Sequence, residues 1–293
     1  MRSARAPLSI IATLLLGGCP HPINPPAQVC TTPTLPDDST VGSEGACPVE
    51  VRPIPDGLLP APRDAAAVAF GFHDVIGADD RRRVTDVMTA PYRAICELRI
   101  TAPNGMPLVC TGFLIGPTTI LTAGHCVHIQ SAGGWMRSIE VIPALDGTTR
   151  PFQSIVSTTF RSVAAWTQSQ RRTHDYGVVI LPAPFAQPPP VALRVVDDAA
   201  LARASVTIGG YPIDHGSNQQ WIHTRQVTRL DALNLYYDID TYPGQSGSPI
   251  WYVGGDGVPV AVGIHTTGGE MQNAGTRITP AMIANLQAWI AGR

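Results

Sequence analysis

The sequence predicts an all-β body of two barrels joined by a proline-rich bridge and closed by a C-terminal helix. Three observations lead there. The 293 residues carry 28 glycines and 28 prolines, a density of turn formers that disfavours a helical bundle. Beyond residue 90, short apolar runs are cut repeatedly by Gly, Pro and Asn. A helical period stands out only at the end of the chain, where Thr279 can cap, Pro280 suits the first turn, and Ile283, Leu286 and Ile290 recur on one face.

The amino terminus reads as an address. Arg2 and Arg5 precede an apolar run from Leu8 to Leu16, too short for a spanning helix of ~20 residues but suited to a secretory signal. The run ends in Leu16-Gly17-Gly18-Cys19, which resembles a bacterial lipoprotein cleavage box with Cys19 as the lipid-bearing residue. Residues 1–19 are therefore read as a signal peptide, and the protein as exported, either lipid-anchored in the cell envelope or secreted. Residues 20–73 read as a spacer or pro-segment. Residues 1–62 hold 12 of the 28 prolines, and no period is sustained there.

The body follows from residue 74. Predicted strands are Ala94–Ile100, Leu108–Ile115, Thr119–Thr122, Ile139–Pro143, Ser154–Thr158 and Gly177–Leu181 in a first barrel (about 74–183). Ser205–Gly209, Tyr236–Ile239, Pro249–Val253 and Val258–Ile264 follow in a second (about 190–293). The proline-rich stretch 182–190 is the bridge between them. Of six cysteines, Cys110 and Cys126 flank a strand-turn-strand stretch and are the expected disulfide. Cys30 with Cys47 would staple the spacer, and Cys96 reads as a small buried apolar residue. No Cys-x-x-Cys or Cys/His spacing indicates a metal site. A formal net charge of −2 disfavours a nucleic-acid partner.

Three motifs carry chemistry. In Leu121-Thr-Ala-Gly-His-Cys126, a strand ends in small residues and presents His125, with His128 read as a surface residue. In His174-Asp-Tyr-Gly-Val-Val-Ile-Leu181, Asp175 precedes an apolar strand; buried there, its carboxylate must be paired. In Asp240-Thr-Tyr-Pro-Gly-Gln-Ser-Gly-Ser-Pro249, glycines flank Ser246, so the amides of Gly244 and Ser246 can converge as an oxyanion hole. Ser248 is the decoy hydroxyl. The aromatics Trp221, Tyr236 and Tyr237 read as core or rim.

Together, and in the order His, Asp, Ser, these motifs resemble the trypsin/chymotrypsin-like serine proteases. The similarity is greatest to the glutamyl endopeptidase branch, through Val75-Ile-Gly-Ala-Asp-Asp-Arg81, Ala90-Pro-Tyr92 and Gly263-Ile-His265. The resemblance spans roughly residues 74–293. It implies two six-stranded chymotrypsin-like barrels and acyl transfer, with Ser246 as nucleophile, His125 as base and Asp175 as orienting acid. No metal or other cofactor is required, the partners are protein or peptide substrates, and a monomer is expected. It also implies that Thr241 and His265 bind the carboxylate of a substrate Glu, with the amine of Val75, freed by processing, as a nearby positive charge. Two alternatives compete. Asp240, six residues before Ser246, sits where trypsin-like enzymes place the acid that selects Arg or Lys; and a protease fold can serve as an inactive binding lipoprotein.

Overall fold

The computed structural model describes residues 36–43, 75–186 and 190–292. The signal segment with Cys19, and also Cys30 and Cys47, lie outside them. In chain order the strands begin with β1 (Thr40–Gly42), β2 (Arg82–Arg83), β3 (Ile95–Thr101), β4 (Pro107–Gly116) and β5 (Thr119–Thr122). Then come β6 (His128–Ile129), β7 (Gly134–Trp135), β8 (Ser138–Pro143), β9 (Ile155–Ser157), β10 (Thr159–Val163) and β11 (Gly177–Ile180). The second half holds β12 (Ala192–Leu193), β13 (Ser205–Gly210), β14 (Trp221–Gln226), β15 (Arg229–Leu230) and β16 (Asn234–Tyr237). It ends with β17 (Pro249–Val253), β18 (Pro259–Thr267) and β19 (Asn273–Arg277). The helices are α1 (Ala164–Thr167), α2 (Asp198–Leu201) and α3 (Pro280–Ile290).

Each barrel closes through one bent strand. In barrel 1 the order β10-β11-β5-β4-β3-β8-β9 returns to its start, because β9 and β10 are halves of one segment bent at Thr158. Ser157 stabilises that bend: its hydroxyl accepts the Thr159 N–H at 3.1 Å and donates to the Ile180 carbonyl. In barrel 2, β14 pairs with β13 and its continuation β15 pairs with β16, completing β13-β14/β15-β16-β19-β18-β17. Six strands therefore carry each barrel, as the resemblance implies. The short β2 and β12 add to the edges of barrel 2. Residues 36–43, within the stretch read as spacer, belong to barrel 1, where β1 pairs with β10. A three-residue strand held through backbone bonds leaves no period in the sequence to detect.

The apolar runs fill the interiors. Leu98, Ile100, Phe113, Ile120, Val141 and Phe160 are fully buried in barrel 1; Val206, Ile208, Leu235 and Ile250 are in barrel 2. The C-terminal helix starts as expected, with the Thr279 hydroxyl accepting the Met282 N–H at 3.2 Å. Its buried face is Met282, Leu286 and Trp289 instead of the expected Ile283, Leu286 and Ile290. Trp289 sets the rotation by packing against Tyr176, ring centroids 6.0 Å apart, on barrel 1. Cys96 is buried, as expected of a small apolar side chain.

Barrel 1 also buries charge. Glu97, fully inaccessible on β3, meets the Arg99 guanidinium at 3.2 Å. Burial pushes the Glu97 carboxyl up to about 7, with Arg99 only partly offsetting it and Glu140 adding to the rise. The folded state thus holds a proton that the unfolded state, near 4.5, gives up. This contribution is complete below the unfolded value and is lost as pH rises through 7. Glu97→Gln does not titrate, so denaturation midpoints should shift in its favour, relative to the native chain, by about 2–3 kcal/mol between pH 5 and pH 8.

Candidate functional site

β5 ends at Thr122, and a single turn, Gly124–Cys126, presents His125 at the barrel wall. Gly124 lies so close under Trp166 that a Cβ would stand 2.7 Å from its ring. β11 pairs with β5 in the register Gly177↔Thr122, which brings Asp175, two residues before β11, beside the histidine. Asp175 binds His125 twice: Oδ2 to Nδ1 at 2.7 Å, and Oδ1 accepting the backbone N–H at 2.9 Å. Both residues are buried, so the carboxylate's charge is matched by these two bonds and not by water. Cys110 and Cys126 form the expected disulfide.

Barrel 2 delivers Ser246 on a turn closed by the Gln245 N–H donating to the Tyr242 carbonyl at 3.0 Å. Gly247 has φ +87°, and a Cβ there would lie 2.1 Å from both the Thr111 carbonyl and the Thr122 hydroxyl. Only glycine allows the serine loop to press against the end of β5, three residues before His125. Thr111 N–H donates to the Ser246 carbonyl at 2.8 Å, and the Thr111 hydroxyl donates to the Gly244 carbonyl at 2.8 Å.

The amides of Gly244 and Ser246 are aimed by their neighbours. In a trans peptide, C=O and N–H point in opposite directions. The Pro243 carbonyl accepts the Ile213 N–H at 2.9 Å, which turns the Gly244 N–H the other way. The Gln245 carbonyl accepts the Ser248 N–H at 3.0 Å, which does the same for Ser246. Among the described residues the Gly244 N–H meets no acceptor. Pro243, which lacks an N–H, costs this arrangement nothing because its carbonyl is what is used.

Next to this loop, Thr241 is fully buried and its hydroxyl has no partner among the described residues. A buried, unpaired hydroxyl costs free energy unless a ligand supplies the bond. His265, also fully buried, sits on β18, and its carbonyl accepts the Gly247 N–H at 2.7 Å. Its Nδ1 lies 2.8 Å from the Tyr237 hydroxyl. Burial holds the Tyr237 phenol well above its usual range, so it remains an O–H able to donate to Nδ1 and leave the proton on Nε2. Tyr237 is fully buried in the barrel 2 core, as its core-or-rim reading expects, and its hydroxyl in addition meets His265. A strand tyrosine and a strand histidine far apart in sequence give no signal of that contact.

Asp240, the offset acid, is fully buried with both carboxylate oxygens engaged. Its Oδ1 accepts the Ile76 N–H at 2.8 Å and its Oδ2 the Asp80 N–H at 2.9 Å. His223 closes the cluster, with Nδ1 accepting the Asp240 N–H at 2.9 Å. Burial lowers the His223 pKa, which keeps that nitrogen free to accept. These bonds tie the buried carboxylate to the backbone of residues 76–80. His128, read as a surface residue, is a correction. It is buried, edge-on to Trp135, and desolvation lowers its pKa to about 4. Ser248, the decoy, is buried with its hydroxyl against Gly210.

The chain matches the family model described as a trypsin-like peptidase domain over residues 110–262. It is 36% identical over 217 residues to a Bacillus subtilis protein named extracellular metalloprotease, covering 73% of this chain and 69% of that one. It is 35% identical over 234 residues to the glutamyl endopeptidase of Bacillus licheniformis, covering 78% of this chain and 72% of the relative. A solved Glu endopeptidase structure aligns with TM-score 0.65 and 29% identity over 74% of this chain and 99% of that one. The first relative's name speaks of a metal; three groups among the described residues have ligand-like spacing, and in one of them, Asp80, His223 and Asp240, the Asp240 oxygens accept the Ile76 and Asp80 N–H groups while Asp80 pairs with Arg225. The sulfurs beside His125 are joined in the disulfide, and Asp79 and Asp214 share the Arg81 guanidinium. Fold, site and relatives agree: this chain belongs to the trypsin-like peptidase family and is a serine endopeptidase.

Proposed function

We propose that the protein is an exported endopeptidase that cleaves after acidic residues, chiefly Glu, through an acyl-enzyme formed on Ser246. His125 takes the Ser246 proton as the hydroxyl attacks the scissile carbonyl, and returns it to the leaving amine. Asp175 fixes the imidazole so that Nε2 is the working nitrogen, and balances the positive charge that forms. The Gly244 and Ser246 amides receive the oxyanion; one such donor contributes about 3 kcal/mol. Water on the same base then hydrolyses the ester. The short Asp175–His125 contacts and the two aimed peptide planes support these roles.

The observation that carries the acidic preference is the orphaned Thr241 hydroxyl beside His265. Both are donors suited to a carboxylate, and the Tyr237 bond favours the tautomer with a donor at Nε2. The full engagement of Asp240 disfavours cleavage after Arg or Lys. Val75 supports the expected maturation: a cut before it would free an amine one residue from the Asp240 anchor. Export, and lipid attachment at Cys19, rest on the amino-terminal sequence alone.

Three tests follow. Ser246→Ala should abolish fluorophosphonate labelling and lower kcat by roughly 10⁶-fold; a processed native sample that never labels would point to the binding-lipoprotein alternative instead. Thr241→Val should lower kcat/KM on Glu-containing peptides by about 10- to 100-fold while leaving thermal stability equal or higher, since it removes an unpaired hydroxyl. Efficient cutting of matched peptides only after Lys or Arg would overturn the acidic assignment.

The third test concerns the Gly244 amide. Arg81 is buried and bridges Asp79, at 2.7 Å, and Asp214, whose turn supplies the Ile213 N–H to Pro243. Its contact holds the Asp79 carboxyl at about 2. Arg81→Met should lower kcat by about 10-fold, short of losing the donor outright, with little change in KM.

A further inference from the structure

The outer edge of β10 is occupied by the chain's own residues 36–43. β1 runs antiparallel to it in the register Thr40↔Val163, Val41↔Ser162, Gly42↔Arg161. The bend at Thr158 carries β9 away to β8, so among the described residues no other strand covers this edge. At one end, the Ser39 and Asp37 carbonyls accept the N–H groups of Ala164 and Ala165 at 2.8 and 3.0 Å. These are the first amides of α1, which have no acceptor within the helix. At the other end, buried Ser43 donates its N–H to the Phe160 carbonyl at 3.0 Å and accepts the Phe160 N–H on its hydroxyl at 2.7 Å. Side chains extend the grip: Asp37 pairs with Arg171, and Asn285 of α3 donates to the Asp38 carbonyl at 3.1 Å.

We infer that residues 36–43 are a permanent strand of the protease, retained by non-covalent bonds when the chain is cut between Ser43 and Val75, so that the mature enzyme consists of two chains. The location of the natural cut rests on the maturation reading above; retention does not. Main-chain bonding along an otherwise bare sheet edge is a known basis for strand addition, and an uncovered edge is a liability that folded proteins avoid. The strand also touches the elements that present the proposed catalytic pair. Arg171 and His174 flank the turn leading into Asp175, with His174 Nε2 3.7 Å from the Asp38 carboxylate. Trp166 of α1 packs against His125, ring centroids 6.2 Å apart. Residues 36–43 therefore act as a positioning element, and whatever is attached ahead of them stays joined to the enzyme after maturation.

A full-length Ser246→Ala chain carrying a site-specific protease recognition sequence in place of residues 52–58 tests retention without self-cleavage. After cutting, native size exclusion and native mass measurement should find the amino-terminal fragment bound to the body, and denaturant should separate them. Adding Asp37→Ala and Ser43→Ala should release the fragment under native conditions. Release from the otherwise unaltered chain overturns the inference. In parallel, an active chain lacking residues 1–43 should show kcat about tenfold lower with KM little changed, restored in a saturable way by a synthetic peptide of residues 34–45. No rise in kcat with peptide overturns the positioning role. If the shortened chain does not fold, kcat of the cut active chain with and without the Asp37→Ala and Ser43→Ala changes decides the same point: equal values overturn the role.

Discussion

One buried threonine joins the two barrels where the chemistry is assembled. Thr111 on β4 donates its N–H to the Ser246 carbonyl and its hydroxyl to the Gly244 carbonyl, while that hydroxyl accepts the Tyr211 N–H at 3.0 Å. Its own carbonyl accepts the Thr122 hydroxyl at 2.7 Å, tying the same point to the strand that leads to His125. Two separately closed sheets could meet in many ways; the three of these bonds that cross between the barrels select one. Each is shielded from water, so breaking any of them leaves a buried polar group unpaired. The adjacent Cys110–Cys126 disulfide fixes the histidine turn to the same strand.

The precision of the site comes from peptide groups as much as from side chains. The two amides proposed to receive the oxyanion are aimed by hydrogen bonds on the carbonyls behind them, from Ile213 and Ser248. Such groups need little reorganisation when charge develops, which is what makes preorganised donors effective. The cost appears elsewhere, in glycine at Gly244 and Gly247, both at positive φ and both packed against backbone oxygens.

The parts legible in sequence were those written locally. The apolar runs that became β5 and β17 match the predicted bounds, and the Thr279-Pro280 start of α3 is a local signal that tertiary packing left intact. The His, Asp and Ser motifs were legible because strand ends and flanking glycines are short-range features. β14 and β19 were not read as strands: β14 is rich in polar residues, and β19 carries Gly275 at its centre. β1 escaped because its stability is in backbone bonds. The His265–Tyr237 contact and the Asp240 cluster depend on cross-strand register and on a segment some 160 residues away. The helix face shifted because Trp289 found a partner in Tyr176.

The environment of Asp240 bears directly on pocket chemistry. A carboxylate adjacent in sequence to Thr241 would repel an incoming acidic side chain if it faced the same space, and like charges held close in a buried site are costly. Here two backbone amides take up the oxygens of Asp240 and turn its charge toward residues 76–80. The neighbouring Thr241 hydroxyl, fully buried and without a partner among the described residues, is the group left to meet a ligand carboxylate in the proposed reading. An acid in the position that selects basic residues in trypsin-like enzymes is therefore compatible with the proposed preference for acidic ones. The reason lies in the backbone: the Ile76 and Asp80 amides satisfy both oxygens of Asp240 and tie residues 76–80 to the residue that precedes Thr241.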